Sequence, residues 1–232
     1  MSDPCLNGGT CTDDGSYDKY TCTCPEEFAG ERCQVSKFYH IGCFNHDPNA
    51  VPVLEERPKR ELDINKASAA VIKCAELAQE NDYNYFSVGH RGVCYSGPQA
   101  NETYFKKGPA QTKKKCSSAG VGKNGAVVVY TFEPVPSYLP LGCFRAAKRK
   151  NKALRTRYMS FGNQGNKIKQ TTIDQCARIA RAKGYTYFAV QNTAECWSDE
   201  DAQNRYKMLG AHGKCKDGVG LKGANMVYRF NE

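Results

Sequence analysis

The densest chemistry in the chain lies between positions 145 and 157. Arg145, Lys148, Arg149, Lys150, Lys152, Arg155 and Arg157 place seven positive charges in 13 residues, with no acid among them. Like charges crowded in this way repel one another, and a polyanion relieves the repulsion. Residues 148–153 also fit the loose basic pattern of sites for heparin-type polymers. The expected ligands are acidic or sulfated glycans, acidic extracellular matrix proteins or a mineral surface. A solvated basic loop that aids solubility has the same composition. Trp197, the single tryptophan of the chain, would stack on a sugar ring if exposed, which is the chemistry of a carbohydrate-specific lectin.

Catalytic chemistry finds little footing. The four histidines are His40, His46, His90 and His212, and no HExxH, GxSxG, phosphate loop or dinucleotide fingerprint occurs. The expectation is no enzyme, no cofactor and no metal, with calcium at the triplet Asp199-Glu200-Asp201 as the one candidate. Solvated loop acids explain that triplet equally well. Arg57-Pro58-Lys59-Arg60 matches a proprotein-convertase recognition pattern. Asn101-Glu102-Thr103 is the only N-glycosylation sequon, so Asn101 is the expected glycosylated residue.

The elements that position these groups are small and cross-linked. The chain has 232 residues, 33 basic and 24 acidic side chains and 13 cysteines. Mean hydropathy is −0.65, and the longest apolar stretch, residues 126–129, is the length of a strand, so no membrane span is expected. Thirteen cysteines without paired CxxC spacing indicate an oxidising compartment rather than a zinc site. Nucleic acid is not an expected partner of such a chain. No signal peptide is visible, and the sequence reads as a mature or excised piece of a secreted, extracellular protein. Charge is uneven: residues 1–35 carry net −5, residues 36–136 net +3 and residues 137–232 net +11.

Cys5-Leu6-Asn7-Gly8-Gly9-Thr10-Cys11, then Tyr20-Thr21-Cys22-Thr23-Cys24-Pro25, then Gly30-Glu31-Arg32-Cys33, closely resemble an EGF-like module. About 30 residues cannot build a hydrophobic core, so bridges must replace it. The family's first cysteine is absent here. The resemblance then implies Cys5–Cys22 and Cys24–Cys33, with Cys11 unpaired and the chain cut just upstream of Met1. Arg32 stands where growth-factor members carry an arginine, which makes an EGF-receptor-type ligand one alternative. Those members carry a leucine a few residues later, where this chain has Val35-Ser36-Lys37-Phe38. The acidic cluster that calcium-binding members place ahead of the first cysteine is missing.

The remainder is an internal duplication. Tyr39-His40-Ile41-Gly42-Cys43-Phe44 returns as Tyr138-Leu139-Pro140-Leu141-Gly142-Cys143-Phe144, and Cys94-Tyr95-Ser96 answers Cys196-Trp197-Ser198. The four cysteine pairs are offset by 100, 102, 102 and 99. Val71, Cys74, Ala75 and Ala78, like Ile173, Cys176, Ala177 and Ala180, fall at i, i+3, i+4 and i+7 and predict one helix in each copy. Thr171 or Thr172 is the expected cap of the second helix, with Asp174 or Gln175 completing a capping box and Gly184 ending it. Aromatic strands follow each helix. Each copy reads as an α+β domain with one helix across an antiparallel sheet.

With the opening Gly-Cys-Phe and the closing Val-Tyr-x-Phe, this layout resembles the WSC and PAN/apple group of extracellular domains, although WSC domains usually carry eight cysteines and each copy here has four. Four cysteines allow three pairings. By analogy with PAN domains the resemblance implies Cys74–Cys94 and Cys176–Cys196 from helix to strand, and Cys43–Cys116 and Cys143–Cys215 joining the ends. The expected organisation is an EGF-like module over 1–35, one repeat over 36–133 and a second over 137–232. The whole resembles the modular adhesion and matrix proteins of invertebrates, non-catalytic and glycan-binding.

Overall fold

The computed structural model describes residues 4–13, 20–49, 52–55, 67–110, 115–117, 120–148, 150–161 and 169–231. Arg57 to Arg60, Arg149 and the Lys148 side chain lie outside the described residues. The chain is disulfide-rich and mostly β with a few helices, and it divides into two units: residues 1–104 with 112–134, and residues 105–111 with 135–232.

Unit 1 opens with a hairpin of β1 (Thr10–Asp13) and β2 (Tyr20–Thr23), in which Cys11 lies opposite Cys22. A second small pair joins β3 (Phe28–Ala29) to β4 (Val35–Ser36). Bridges Cys5–Cys22 and Cys24–Cys33 take the place of a core, and Cys11 is exposed and unbridged. Gly9 permits this crowding, because a Cβ there would lie 2.7 Å from the Cys33 sulfur.

The first sheet contains β5 (Tyr39–Asn45) and β6 (Val53–Glu55). Helix α1 (Ala67–Glu80) follows, then β7 (Tyr85–Val88), a 3-10 turn (His90–Gly92), β8 (Cys94–Tyr95), the short helix α2 (Ala100–Thr103) and β9 (Ala126–Thr131). The strands lie in the order β5-β9-β7-β8-β6, all antiparallel. Val71, Cys74, Ala75 and Ala78 of α1 are buried against Phe86, Val88, Val128 and Tyr130. Cys74–Cys94 ties the helix to β8, and Cys43–Cys116 ties the ends together.

The N-terminal module is built into this core. Val35 is buried in the α1 cluster, with Ala29 and Phe38 packed beside it. Gln34 Nε2 donates to Glu76 Oε1 at 3.0 Å, and the Ser36 amide donates to Gln79 Oε1 at 2.9 Å. Burying apolar area at this joint orders the module on the helix.

Unit 2 repeats the plan with β10 (Tyr138–Arg145), β11 (Ala147–Lys148), β12 (Asn151–Lys152), β13 (Thr156–Ser160) and α3 (Lys169–Ala182). It continues with β14 (Tyr187–Gln191), β15 (Glu195–Ser198), α4 (Ala202–Arg205), β16 (Cys215–Lys216), β17 (Val219–Gly220) and β18 (Ala224–Phe230). The strand order β10-β18-β14-β15-β13 matches that of the first sheet. The bridges are Cys143–Cys215 and Cys176–Cys196.

The paired registers shift the sequence alignment by one residue ahead of a shared bulge. Tyr39 lies opposite Thr131 and Leu139 opposite Arg229, so Leu139 answers Tyr39, and Tyr138 answers Phe38. The ring clusters agree. Phe38 sits edge-on to Phe86 and Tyr130, which stack at 5.1 Å, and Tyr138 sits edge-on to Phe188 and Tyr228, which stack at 5.0 Å. Helix α3 also begins at Lys169, so Thr171 and Thr172 lie in its first turn rather than capping it. Asp174 there accepts hydrogen bonds from the Tyr138 hydroxyl at 2.7 Å and from Gln170 Nε2 at 2.8 Å. Gly184, with φ +74°, follows the last turn of α3 in the left-handed conformation that a β-carbon disfavours.

Candidate functional site

The basic segment forms a two-stranded ribbon fixed at its base. Strand β10 ends at Arg145, opposite Ala224. The Ala146 amide then donates to Gly223 O at 3.0 Å, and the Ala153 amide to Ala146 O at 3.0 Å. Between them Ala147 pairs with Lys152 and Lys148 with Asn151. Ala146, Ala153 and Leu154 are buried, whereas Arg145, Lys150 and Lys152 are exposed. Small apolar side chains thus root the ribbon, and Lys150 and Lys152 between them face water.

The seven cations do not behave alike. Arg155 donates to Asp199 through Nε at 2.6 Å and Nη2 at 2.8 Å, and its amide adds a third bond to Asp199 at 3.2 Å. This forked pairing is the strong geometry for arginine and carboxylate. The Asp199 side chain is only 5% exposed, and the Arg155 hydrogen bonds hold its pKa down at about 2. Arg157 pairs with Glu195 at 3.3 Å. Arg155 and Arg157 therefore hold the sheet edge, whereas Arg145, Lys150 and Lys152 are exposed.

Trp197 is corrected from a ligand contact to a core residue. It is 9% exposed and packs with Leu154, Tyr187, Ala189, Ala202 and Val227. The reason lies in strand alternation: Cys196 faces α3 to form its bridge, so Trp197 must face the opposite layer. Its indole nitrogen donates to Glu195 at 3.0 Å, and Lys152 Nζ stands 4.8 Å above the ring. The cation occupies the face that a sugar would have used.

The acidic triplet is used within the fold. Asp199 is committed to Arg155, and Asp201 accepts from Asn204 at 2.7 Å. Among the described residues, no group of three or more histidine, cysteine or acidic side chains converges as a metal site. Arg32 donates to the Pro4 carbonyl at 2.8 Å and so serves the fold of its own module.

Arg205 escaped the sequence reading. From α4 it donates to Lys152 O at 2.8 Å and Ala153 O at 3.2 Å, clasping the second strand of the ribbon. Its separation of more than 50 residues from those carbonyls leaves no local signal. Asp199 left no local signal either, because it stands 44 residues from Arg155.

An EGF-like domain matches residues 2–32, and a WSC domain matches residues 140–217, a span that contains the whole ribbon and Asp199. The chain thus carries an EGF-like domain and a WSC domain, both typical of extracellular proteins. Human protein jagged-1 is 53% identical over 34 residues, which are 15% of this chain and 3% of that protein. A dog protein described as hepatocyte growth factor activator serine proteases is 40% identical over 45 residues, 19% of this chain and 7% of its own length. Toxin Bcs III 15.09 of Bunodosoma caissarum is 53% identical over 30 residues, 13% of this chain and 67% of the toxin. The chain therefore spans only a small fraction of the jagged-1 and activator relatives. No solved structure matches it. No helix among the described residues is long and apolar enough to cross a membrane.

Proposed function

We propose that the chain is a non-catalytic, secreted adhesion or matrix protein that holds acidic or sulfated glycans, or acidic matrix partners, on the ribbon of residues 145–152. One observation carries this reading. The ribbon presents Arg145, Lys150 and Lys152 exposed on a base rooted by Ala146, Ala153 and Leu154, with Arg205 clasping it, so the backbone that carries them is set before a ligand arrives. A fixed backbone loses less ordering entropy on binding than a floppy loop.

Residues 36–133 are a second WSC/PAN-like α+β repeat in this reading, supported by the matching strand order and bulge. Their counterpart segment mixes Glu55, Glu56, Arg57, Lys59, Arg60, Glu61 and Asp63, so polyanion binding belongs to the second repeat. The first repeat and its docked EGF-like module contribute a rigid mount and a protein contact.

The test is binding of the full chain to a heparin-like sulfated polymer and to neutral glycans across a salt series. Binding to the sulfated polymer should fall steeply with salt. Each of Lys150→Gln and Lys152→Gln should weaken it up to about fivefold, equivalent to about 1 kcal/mol. Salt-insensitive binding to a neutral sugar, or no loss in these variants, would overturn the proposal.

A further inference from the structure

Unit 1 holds a cleft of about 150 Å³ at one end of its sheet, lined by Asp82, Tyr83, Asn84, Pro98, Asn101 and Glu133 among others. Its walls are mixed in a way that suits a sugar. Tyr83 and Pro98 offer apolar surface, and Asp82, Asn84 and Glu133 offer hydroxyl-binding groups. Glu133 is prearranged: the Tyr85 hydroxyl donates to one of its oxygens at 3.1 Å, and Asn84 Nδ2 to the other at 3.3 Å. Among the described residues that line the cleft, none is a lysine, arginine or histidine.

Independently, Asn101 is the asparagine of the chain's single sequon. It is partly exposed on α2, and no hydrogen bond ties its side-chain amide among the described residues. The corresponding positions of unit 2, offset by 102 in the sequence and by 98 after the last strand, are Thr186 for Asn84, Gln203 for Asn101 and Asn231 for Glu133. The sequon and the carboxylate beside it are both missing there. The attachment point and the polar cradle thus occur together in one repeat and are lost together in the other.

We propose that the cleft seats the first N-acetylglucosamine of a glycan carried on Asn101, so that the attached sugar braces α2 against the ends of β7 and β9. In the attachment step the Asn101 side-chain nitrogen bonds to C1 of the sugar of a polyprenyl-pyrophosphate-linked oligosaccharide. The C1–O bond to pyrophosphate breaks, the pyrophosphate leaves with the electron pair, and the nitrogen gives up one proton to a base of the transferring enzyme. The inference rests on the secreted reading above but not on the ribbon. Asn101→Gln should leave salt-sensitive binding to the sulfated polymer unchanged, so the two proposals fail separately.

The experiment uses the full chain made in a glycosylating secretory host. It compares the intact glycoform, a form trimmed by endoglycosidase to one N-acetylglucosamine, and Asn101→Gln, by peptide mass and amide hydrogen exchange. Exchange over residues 97–104 and 131–133 should be at least about fivefold slower in the intact and single-sugar forms than in Asn101→Gln, with unit 2 unchanged as the internal control. Asn84→Ala in the glycosylated protein should lose most of that slowing although the glycan remains attached. This second variant also keeps the test decisive if Asn101→Gln folds poorly. An unmodified Asn101, equal exchange in all forms, or slowing that disappears on trimming to one sugar would overturn the proposal.

Discussion

The two sheets share strand order, bulge and ring cluster, and they differ at the edge beyond the tyrosine or tryptophan of the fourth strand in order. In unit 2 the sequence Trp197-Ser198-Asp199 brings a buried carboxylate to Arg155, and a ribbon folds over the indole. In unit 1 the matching Tyr95-Ser96-Gly97 has no carboxylate. His46 covers the Tyr95 ring at 4.3 Å instead, and Gly97 lies so close to Pro52 that a Cβ would meet its ring at 3.0 Å. Deep layers are held to one pattern by packing, as shown by the hydroxyls of Tyr130 and Tyr228, which donate to Gly120 O and Gly218 O. The edge is free to exchange one brace for another. Function can diverge there without cost to the core.

The comparison can be broken most severely at Trp197. Trp197→Ala should destabilise unit 2 by about 3–5 kcal/mol, read by denaturant unfolding. Tyr95→Ala should cost unit 1 less, because Tyr95 is only half-buried. Equal costs would mean that the two edges are packed alike.

Next comes the clasp. Asp199→Asn should cost unit 2 about 1 kcal/mol, since Arg155 stays largely in water. The carboxyl pKa is held near 2, below its unfolded value of about 3.9. The stability from Asp199 is therefore present in full above that unfolded value and is lost as pH falls toward 2. Thermal unfolding followed from pH 5 to about pH 2 should show this loss in the parent chain and a shallower one in Asp199→Asn. Parallel curves would remove the clasp from the account.

The smallest effect belongs to unit 1. Burial lowers the pKa of both His40 and His46, with Asp47 partly opposing the shift at His46. Protonation then costs more in the folded state than in the unfolded one. Stability should be flat above about pH 6.5 and decline as pH falls below it. His46→Gln should reduce that decline, whereas unit 2, with Lys152 at the corresponding ring, should show no counterpart near the same pH. An unchanged slope in His46→Gln would assign the decline elsewhere.

Much of the plan was legible in the sequence because it is written in local periods and repeated offsets. The helix stripes Val71-Cys74-Ala75-Ala78 and Ile173-Cys176-Ala177-Ala180 repeat at 3.6 residues, and all eight residues are buried. The bulge was not legible, since an extra residue in one strand alters no local pattern and shifts only the partner across the sheet. The charge of the ribbon was also plain. What was hidden is that two of its seven cations are already paired, because Asp199 and Glu195 reach them only through the β13–β15 pairing.

By itself, then, the sequence determined the inventory: bridged modules, a duplicated helix-and-strand unit and one concentrated run of positive charge. Cysteine spacing, hydrophobic period and composition are local properties, and physics reads them locally. Only the tertiary structure decided which side of β15 receives the tryptophan, which arginines are committed and where the N-terminal module rests. Each of these depends on contacts between residues tens of positions apart, and such contacts exist only once the sheet has chosen its register.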